Sequence, residues 1–245
     1  ELMVKTWHIS REAQDQLAYE SHVKAAKAWS EGFYDDLVVP YAGLKRDNNV
    51  RADSTPAKLA TLRPVFDTTG SGSLTAGNST PLTDGASALL LASEAWANER
   101  KLPILGYLRA GKTWAVDFAS GAEGLLMAPA YAVAHMLKDT GLALQDFDYY
   151  EIHEAFASQV LSNAQAWASK EWAQKLGRSA PVGEVDWERT NVHGGSIAIG
   201  HPFGATGARI ATTLANEMVR RDVQFGLISI CAQGGMGFAM VLERA

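Results

Sequence analysis

Three short stretches carry side chains suited to acid–base or nucleophilic chemistry. The first, His153-Glu154-Ala155-Phe156-Ala157, follows the apolar run Tyr149–Ile152. A zinc-protease helix needs a second histidine one turn on, and position 157 is alanine, so that chemistry is excluded. His153 is then either a proton-transfer group or a plain helix start, with Glu154 complementing the dipole at the helix amino end. The second stretch, residues 194–207, reads Gly-Gly-Ser-Ile-Ala-Ile-Gly-His-Pro-Phe-Gly-Ala-Thr-Gly. No lysine follows its glycines and Gly-x-Gly-x-x-Gly spacing is absent, which excludes a nucleoside-triphosphate cradle. Its glycines let the backbone around His201 approach a ligand closely, or equally let a tight loop pack against a helix. The third is Cys231-Ala232-Gln233-Gly234-Gly235-Met236-Gly237, at the end of the apolar run Phe225–Ile230. A thiol there is a buried small hydrophobe or a nucleophile, and spacing alone does not decide between them. The glycine turn behind it can aim backbone N–H groups at a developing oxyanion, worth about 3–4 kcal/mol when preorganised, or simply join two core strands.

The elements that must position these residues follow an α/β rhythm from Ile104 onward. The spacing predicts a strand at 104–108, a helix at 129–139 ended by Gly141, and a strand at 149–152. A helix at 154–176 ended by Gly177, a short strand at 197–199 and a helix at 207–221 follow. Strands at 225–231 and 238–243, joined through Gly234 and Gly235, close the series. This βαβαβαββ order implies a layered sheet with helices on its faces and a closing antiparallel pair. Upstream, Ser10 is placed to cap a helix whose Ala18, His22, Ala25, Trp29 and Phe33 recur at helical spacing, with Gly32 as its stop. Prolines and turn-forming clusters make 35–82 largely irregular, with short strands expected near Leu37–Val39. The run Ala86–Ala92 reads as a strand and Glu94–Arg100 as a helix, but they precede the five-strand series and are expected to pair with something outside this chain. Similar textures at 86–92 and 238–243 suggest two related halves, only the second of them complete.

Composition narrows the function classes. The 245 residues are 47% apolar and 20% charged, which is globular composition rather than disordered or coiled-coil. With 22 Lys and Arg against 27 Asp and Glu, the net charge of -5 and the lack of a basic run exclude a nucleic-acid partner. One cysteine cannot form an intrachain disulfide, and no apolar run is long enough to span a bilayer, so a cytoplasmic protein is expected.

Taken in order, the three stretches resemble thiolases: His-Glu-Ala-Phe-Ala, then Asn191 through Arg209 with its Gly-His-Pro-Phe-Gly core, then Cys-Ala-Gln-Gly-Gly-Met-Gly. Ser10–Leu17, Ala76–Ala86 and Tyr107–Arg109 carry the resemblance upstream. Histidine at 153, where many thiolases have asparagine, resembles the branch containing β-subunits of fatty-acid-oxidation trifunctional complexes. The resemblance implies two related α/β halves with an inserted loop domain. Residues 1–82 would be part of the loop domain, 83–102 the last strand and helix of the first half, and 103–245 the whole second half. The cysteine that becomes acylated would lie in a first half absent from this sequence, leaving the chain inactive by itself.

The same resemblance implies site roles. His201 would take the nucleophile's proton and help hold a thioester oxygen. Cys231 would be the acid–base thiol at the acyl-CoA α-carbon, and His153 would orient a water or the substrate oxygen. Gln233 stands where many relatives have glycine or alanine, and its backbone N–H, with that of Gly234, would face the oxyanion. No metal and no permanently bound cofactor is implied. Coenzyme A and 3-ketoacyl-CoA would be substrates, contacted in part by 110–126 around Thr113 and Trp114. A homodimer or tetramer, with a hydratase/dehydrogenase α-subunit as a further partner, is the implied assembly. The competing expectation is an inactive acyl-CoA-binding or scaffold fragment. A condensing synthase of the same fold is disfavoured because such enzymes place histidine where Cys231 stands.

Overall fold

A computed structural model describes all of residues 1–245. In chain order the helices and strands are α1 (Leu2–Trp7), α2 (Arg11–Ser30), α3 (Pro56–Ala60), α4 (Glu94–Glu99), β1 (Gly106–Ala115), α5 (Ala128–Thr140), β2 (Tyr149–Ile152), α6 (Ala157–Ala168), α7 (Lys170–Lys175), α8 (Ser196–Ile199), α9 (Thr206–Arg221), β3 (Phe225–Ala232) and β4 (Met236–Arg244). They divide into two compact units. One comprises Glu1–Asp84, Ile152–Ala166 and Asn191–Pro202, and the other Gly85–Glu151, Trp167–Thr190 and Phe203–Ala245.

The first unit is built around α2. Ser10 caps it, its hydroxyl accepting from Ala13 N–H, and Gly32, at φ +75°, follows its end. Ala18 packs with Leu59, Ala157 and Ile197, and Ala28 with Phe33 and Tyr34, so small residues along one face let other segments come close. The expected strands near Leu37–Val39 are instead a turn, in which Leu37 and Val38 both donate to the Tyr34 carbonyl.

The second unit holds a four-stranded sheet in the order β1-β4-β3-β2. β4 pairs antiparallel with both β1 and β3, and Cys231 stands opposite Gly237. α9 presents Ile210, Leu214 and Met218, spaced four apart, to Ile228 and Leu242 of the sheet. Asp222 in the left-handed conformation ends α9, and Gly141 at φ +74° ends α5.

The layered α/β architecture is as expected, but besides the turn at Leu37–Val39 several elements differ, among them the strand expected at 104–108, which runs as β1 over Gly106–Ala115. The strand expected third in the series, 197–199, is the helical turn α8, because Ile199 N–H and Gly200 N–H donate to the carbonyls of Gly195 and Ser196. The sheet therefore has four strands in place of the five that the βαβαβαββ order implied. The single helix expected at 154–176 is two: residues 154–156 run extended beside 78–80, and Ser169 restarts the helix by capping Trp172 N–H. The run 86–92 has no strand partner in this chain and forms no regular element, with Leu89, Leu90 and Leu91 exposed.

Candidate active site

His153 follows β2 directly, and its backbone is fixed by a neighbour that sequence reading left unassigned. Asn191 brackets Ile152, accepting from Ile152 N–H at 2.8 Å and donating to its carbonyl at 2.9 Å. Asn191 adopts φ +46°, a conformation that asparagine tolerates better than most side chains. The same amide donates to Glu154 Oε1 at 2.7 Å. Glu154 Oε2 accepts from Ser21 Oγ at 2.7 Å and from Ile197 N–H at 3.1 Å, while Ser21 Oγ accepts from Gly195 N–H at 3.0 Å. Glu154 is thus a buried hub that joins α2, the 191–197 loop and the segment after β2. It does not open a helix at its dipole, since α6 starts three residues later.

The hub explains the paired glycines. A Cβ on Gly195 would fall 2.1 Å from the Glu154 carboxyl carbon, and one on Gly194, at φ +81°, would fall 2.7 Å from the Ser21 carbonyl oxygen. From α8 the chain reaches His201, whose N–H donates to Thr83 Oγ1 at 2.7 Å. The rings of His153 and His201 come together with centroids 4.3 Å apart and planes inclined at 49°. His153 is 1% exposed, its Nδ1 2.9 Å from Ser196 Oγ, whereas His201 is half-buried. A buried and a part-exposed imidazole in contact can orient and move a proton between a nucleophile and a substrate oxygen. His193 takes no comparable place: its ring stacks on Phe33 at 3.5 Å.

In the second unit Cys231 lies near the end of β3, 5% exposed. Opposite it, Gly237 is where β4 meets the first turn of α5: a Cβ there would fall 2.5 Å from Pro129 N. The three-residue loop Gln233-Gly234-Gly235 turns through φ +89° at Gly234 and +72° at Gly235. Gly235 is pinned by Val116 N–H donating to its carbonyl at 2.8 Å, while Gln233 and Gly234 are exposed. Both glycines take up left-handed φ values that most side chains avoid.

Residues 103–244 match the family described as thiolase, C-terminal domain, and residues 1–95 match thiolase, N-terminal domain. The chain belongs to the thiolase family. The 3-ketoacyl-CoA thiolases of Yersinia pestis (strain Pestoides F) and Yersinia pseudotuberculosis (serotype O:1b, strain IP 31758) are each 50% identical to it over 250 residues. That alignment covers 99% of this thiolase-family chain and 56% of each relative, so the chain spans a little over half their length. Among solved structures, the Bacillus anthracis acetyl-CoA acetyltransferase superposes with a TM-score of 0.83 at 35% identity, over 99% of this chain and 58% of that one. Human mitochondrial 3-ketoacyl-CoA thiolase gives 0.84 at 30% identity, with the same coverage. No group of three or more His, Cys, Asp or Glu side chains is arranged to hold a metal ion, and no helix is long and apolar enough to cross a membrane.

Sequence reading missed Ser21, Thr83, Asn191 and Ser196 as supports of the segments that carry His153 and His201. For Asn191 a signal existed, as asparagine directly before a glycine-rich loop is a candidate for positive φ. The other three are polar residues in helical or irregular sequence, and nothing local marks their partners.

Proposed function

We propose that this chain supplies the acid–base groups of a thiolase, which cleaves 3-ketoacyl-CoA to acetyl-CoA and a shortened acyl-CoA or runs the reverse Claisen condensation. The reading is supported chiefly by the contact between the His153 and His201 rings, 4.3 Å between centroids, in a chain of thiolase sequence. A cysteine thiolate from the family's first half attacks the 3-keto carbon after His201 has taken its proton. The bond between C2 and C3 breaks, its electron pair passes to the acetyl-CoA enolate, and the Cys231 thiol protonates C2. Cys231, now a thiolate, takes the proton of an incoming coenzyme A thiol. The coenzyme A sulfur attacks the acyl-cysteine, the enzyme thiolate leaves, and His201 returns its proton. His153 orients a water or substrate oxygen beside His201. The N–H groups of Gln233 and Gly234 are read as oxyanion donors.

Coenzyme A and 3-ketoacyl-CoA enter as substrates, with no permanently bound cofactor. Residues 1–82 act as part of the loop domain, 83–102 complete the first half, and 103–245 form the second half. A cytoplasmic homodimer or tetramer, alongside a hydratase/dehydrogenase subunit that would supply the 3-ketoacyl-CoA, completes the reading. Thiolysis of acetoacetyl-CoA by the full-length protein tests it. Cys231→Ser and His201→Ala are each expected to lower kcat by at least about 10²-fold. Turnover at the wild-type rate in either variant refutes the assignment.

A further inference from the structure

The bond between Ser196 and His153 carries an inference beyond these roles. Ser196 is fully buried, and the residues on either side of it are anchored. Gly195 N–H donates to Ser21, and Ile197 N–H donates to Glu154. Ser196's own carbonyl accepts from Thr80 Oγ1 at 2.8 Å and from Gly200 N–H at 2.8 Å. Its hydroxyl, held by this scaffold, lies 2.9 Å from His153 Nδ1. The neighbouring ring, His201, is the one assigned to proton transfer.

A neutral imidazole carries one N–H, and the bond made at one nitrogen decides which nitrogen carries it. We propose that Ser196 is a positioning residue whose hydroxyl donates to His153 Nδ1 and thereby holds the imidazole as the Nε2–H tautomer. This inference rests on the proposed function, taking the oxygen that His153 orients as a substrate carbonyl, which accepts and cannot donate. With Nδ1 engaged as an acceptor, the N–H is committed to Nε2. If the proton sat on Nδ1 instead, it would point at Ser196, and Nε2 would present a lone pair to an oxygen that also carries lone pairs. The serine is therefore a specific companion of histidine at 153. An asparagine there carries its own N–H donors and needs no such partner.

Two measurements on the full-length protein test this. In the first, nitrogen-15 NMR of ring-labelled histidine reads the tautomer directly, with the His153 signals identified by their loss in His153→Asn. The wild type is expected to show Nε2–H at His153, and Ser196→Ala to shift it to Nδ1–H or to a mixture. Nδ1–H in the wild type, or an unchanged tautomer in Ser196→Ala, overturns the proposal. The second is a double-mutant cycle on kcat. Ser196→Ala is expected to lower kcat about tenfold with KM changed less than about twofold, and Ser196→Thr to restore much of the loss. In a His153→Asn background the alanine substitution is expected to have no further effect. Equal losses in both backgrounds would mean that Ser196 acts on the scaffold and not through the imidazole, and would overturn the proposal. If Ser196→Ala does not fold, Ser196→Cys, a weaker donor, is expected to shift the tautomer part of the way, and no shift overturns the idea. A wild type that does not cleave acetoacetyl-CoA defeats the proposed function alone, since the NMR result still decides what Ser196 does to His153.

Discussion

Replacing Glu154 with glutamine tests whether the buried carboxylate is the hub of the first unit. The two side chains have the same shape, but glutamine keeps one acceptor oxygen where glutamate has two. In the native arrangement Oε1 accepts from Asn191, and Oε2 from Ser21 and Ile197. If the amide oxygen takes the Oε2 position, its NH2 faces Asn191 Nδ2, donor against donor. The flipped orientation opposes two donors and costs more. The better orientation loses one charge-assisted bond, about 1.5–3 kcal/mol, and reduces two others from ionic to neutral strength at about 0.5–1 kcal/mol each. Relief of the carboxylate's desolvation offsets part of this sum, leaving a net destabilisation of about 2–4 kcal/mol. Urea unfolding of the wild type and Glu154→Gln, followed by the same probe and compared at equal m-value, measures it. A difference below about 0.5 kcal/mol, the size of an ordinary surface substitution, would refute the claim that this side chain organises the Asn191, Ser21 and Ile197 donors.

Other consequences are as direct. Gly237→Ala drives a Cβ to 2.5 Å from Pro129 N and 2.6 Å from the Ala128 carbonyl carbon, backbone atoms that cannot step aside. It should cost about 3 kcal/mol. Gly234→Ala meets nothing closer than a methionine methyl at 3.8 Å and bears only the strain of φ +89°, about 1 kcal/mol, so thermal unfolding should rank the two in that order. His22, buried with its Nδ1 accepting from Arg51 N–H, is pushed down to about 4, first by burial and then by the Arg51 charge, with Asp53 opposing. The folded state holds this imidazole neutral while the unfolded chain protonates it below about 6.5. Its contribution is intact above that pH, erodes as pH falls towards 4, and is limited to about 3 kcal/mol. His22→Asn should flatten the stability profile between those two pH values, and an unchanged profile would show that His22 is not the titrating group.

How much of this was legible in the sequence depends on the range of the interaction that decides each element. Gly141 and the four-residue repeat of Ile210, Leu214 and Met218 are local signals, and α5 and α9 lie where those signals put them. The triplet Ile197–Ile199 reads as a strand because two of its residues are β-branched, yet it closes as a helical turn. Its first N–H is satisfied by Glu154, 43 residues away, and propensity carries no information about that partner. Likewise α6 cannot begin at His153, because 154–156 are drawn out beside 78–80, with Thr80 N–H donating to the Ala155 carbonyl and Ala157 N–H to that of Asn78. The candidate histidines were visible as residue types in unusual surroundings. What sets their geometry is a group of serine, threonine and asparagine contacts closed over as many as 174 residues.

The glycines of 194–207 allow two readings, a backbone open to a ligand or a tight loop packed against a helix, and three of them favour the second. Their run invites the reading that the backbone is bare so that a ligand can come near. At three of them the space is taken by the protein itself. The Cβ of residue 194 would strike Ser21 and Ala25, that of 195 the Glu154 carboxylate, and that of 200 the Thr83 side chain. Each struck group bears on the site: Ser21 and Glu154 hold the loop, and Thr83 holds the backbone of His201. At Gly204 there is open space around the missing Cβ, and at Gly207 nothing lies closer than an Ile230 methyl at 4.0 Å. Most of the motif therefore serves internal anchoring, and a side chain at 194, 195 or 200 would act by displacing a support of one of the two histidines. Such variants should lose kcat together with stability, whereas alanine at 204, whose only burden is φ +86°, should lose about 1 kcal/mol of stability and leave the imidazoles where they are.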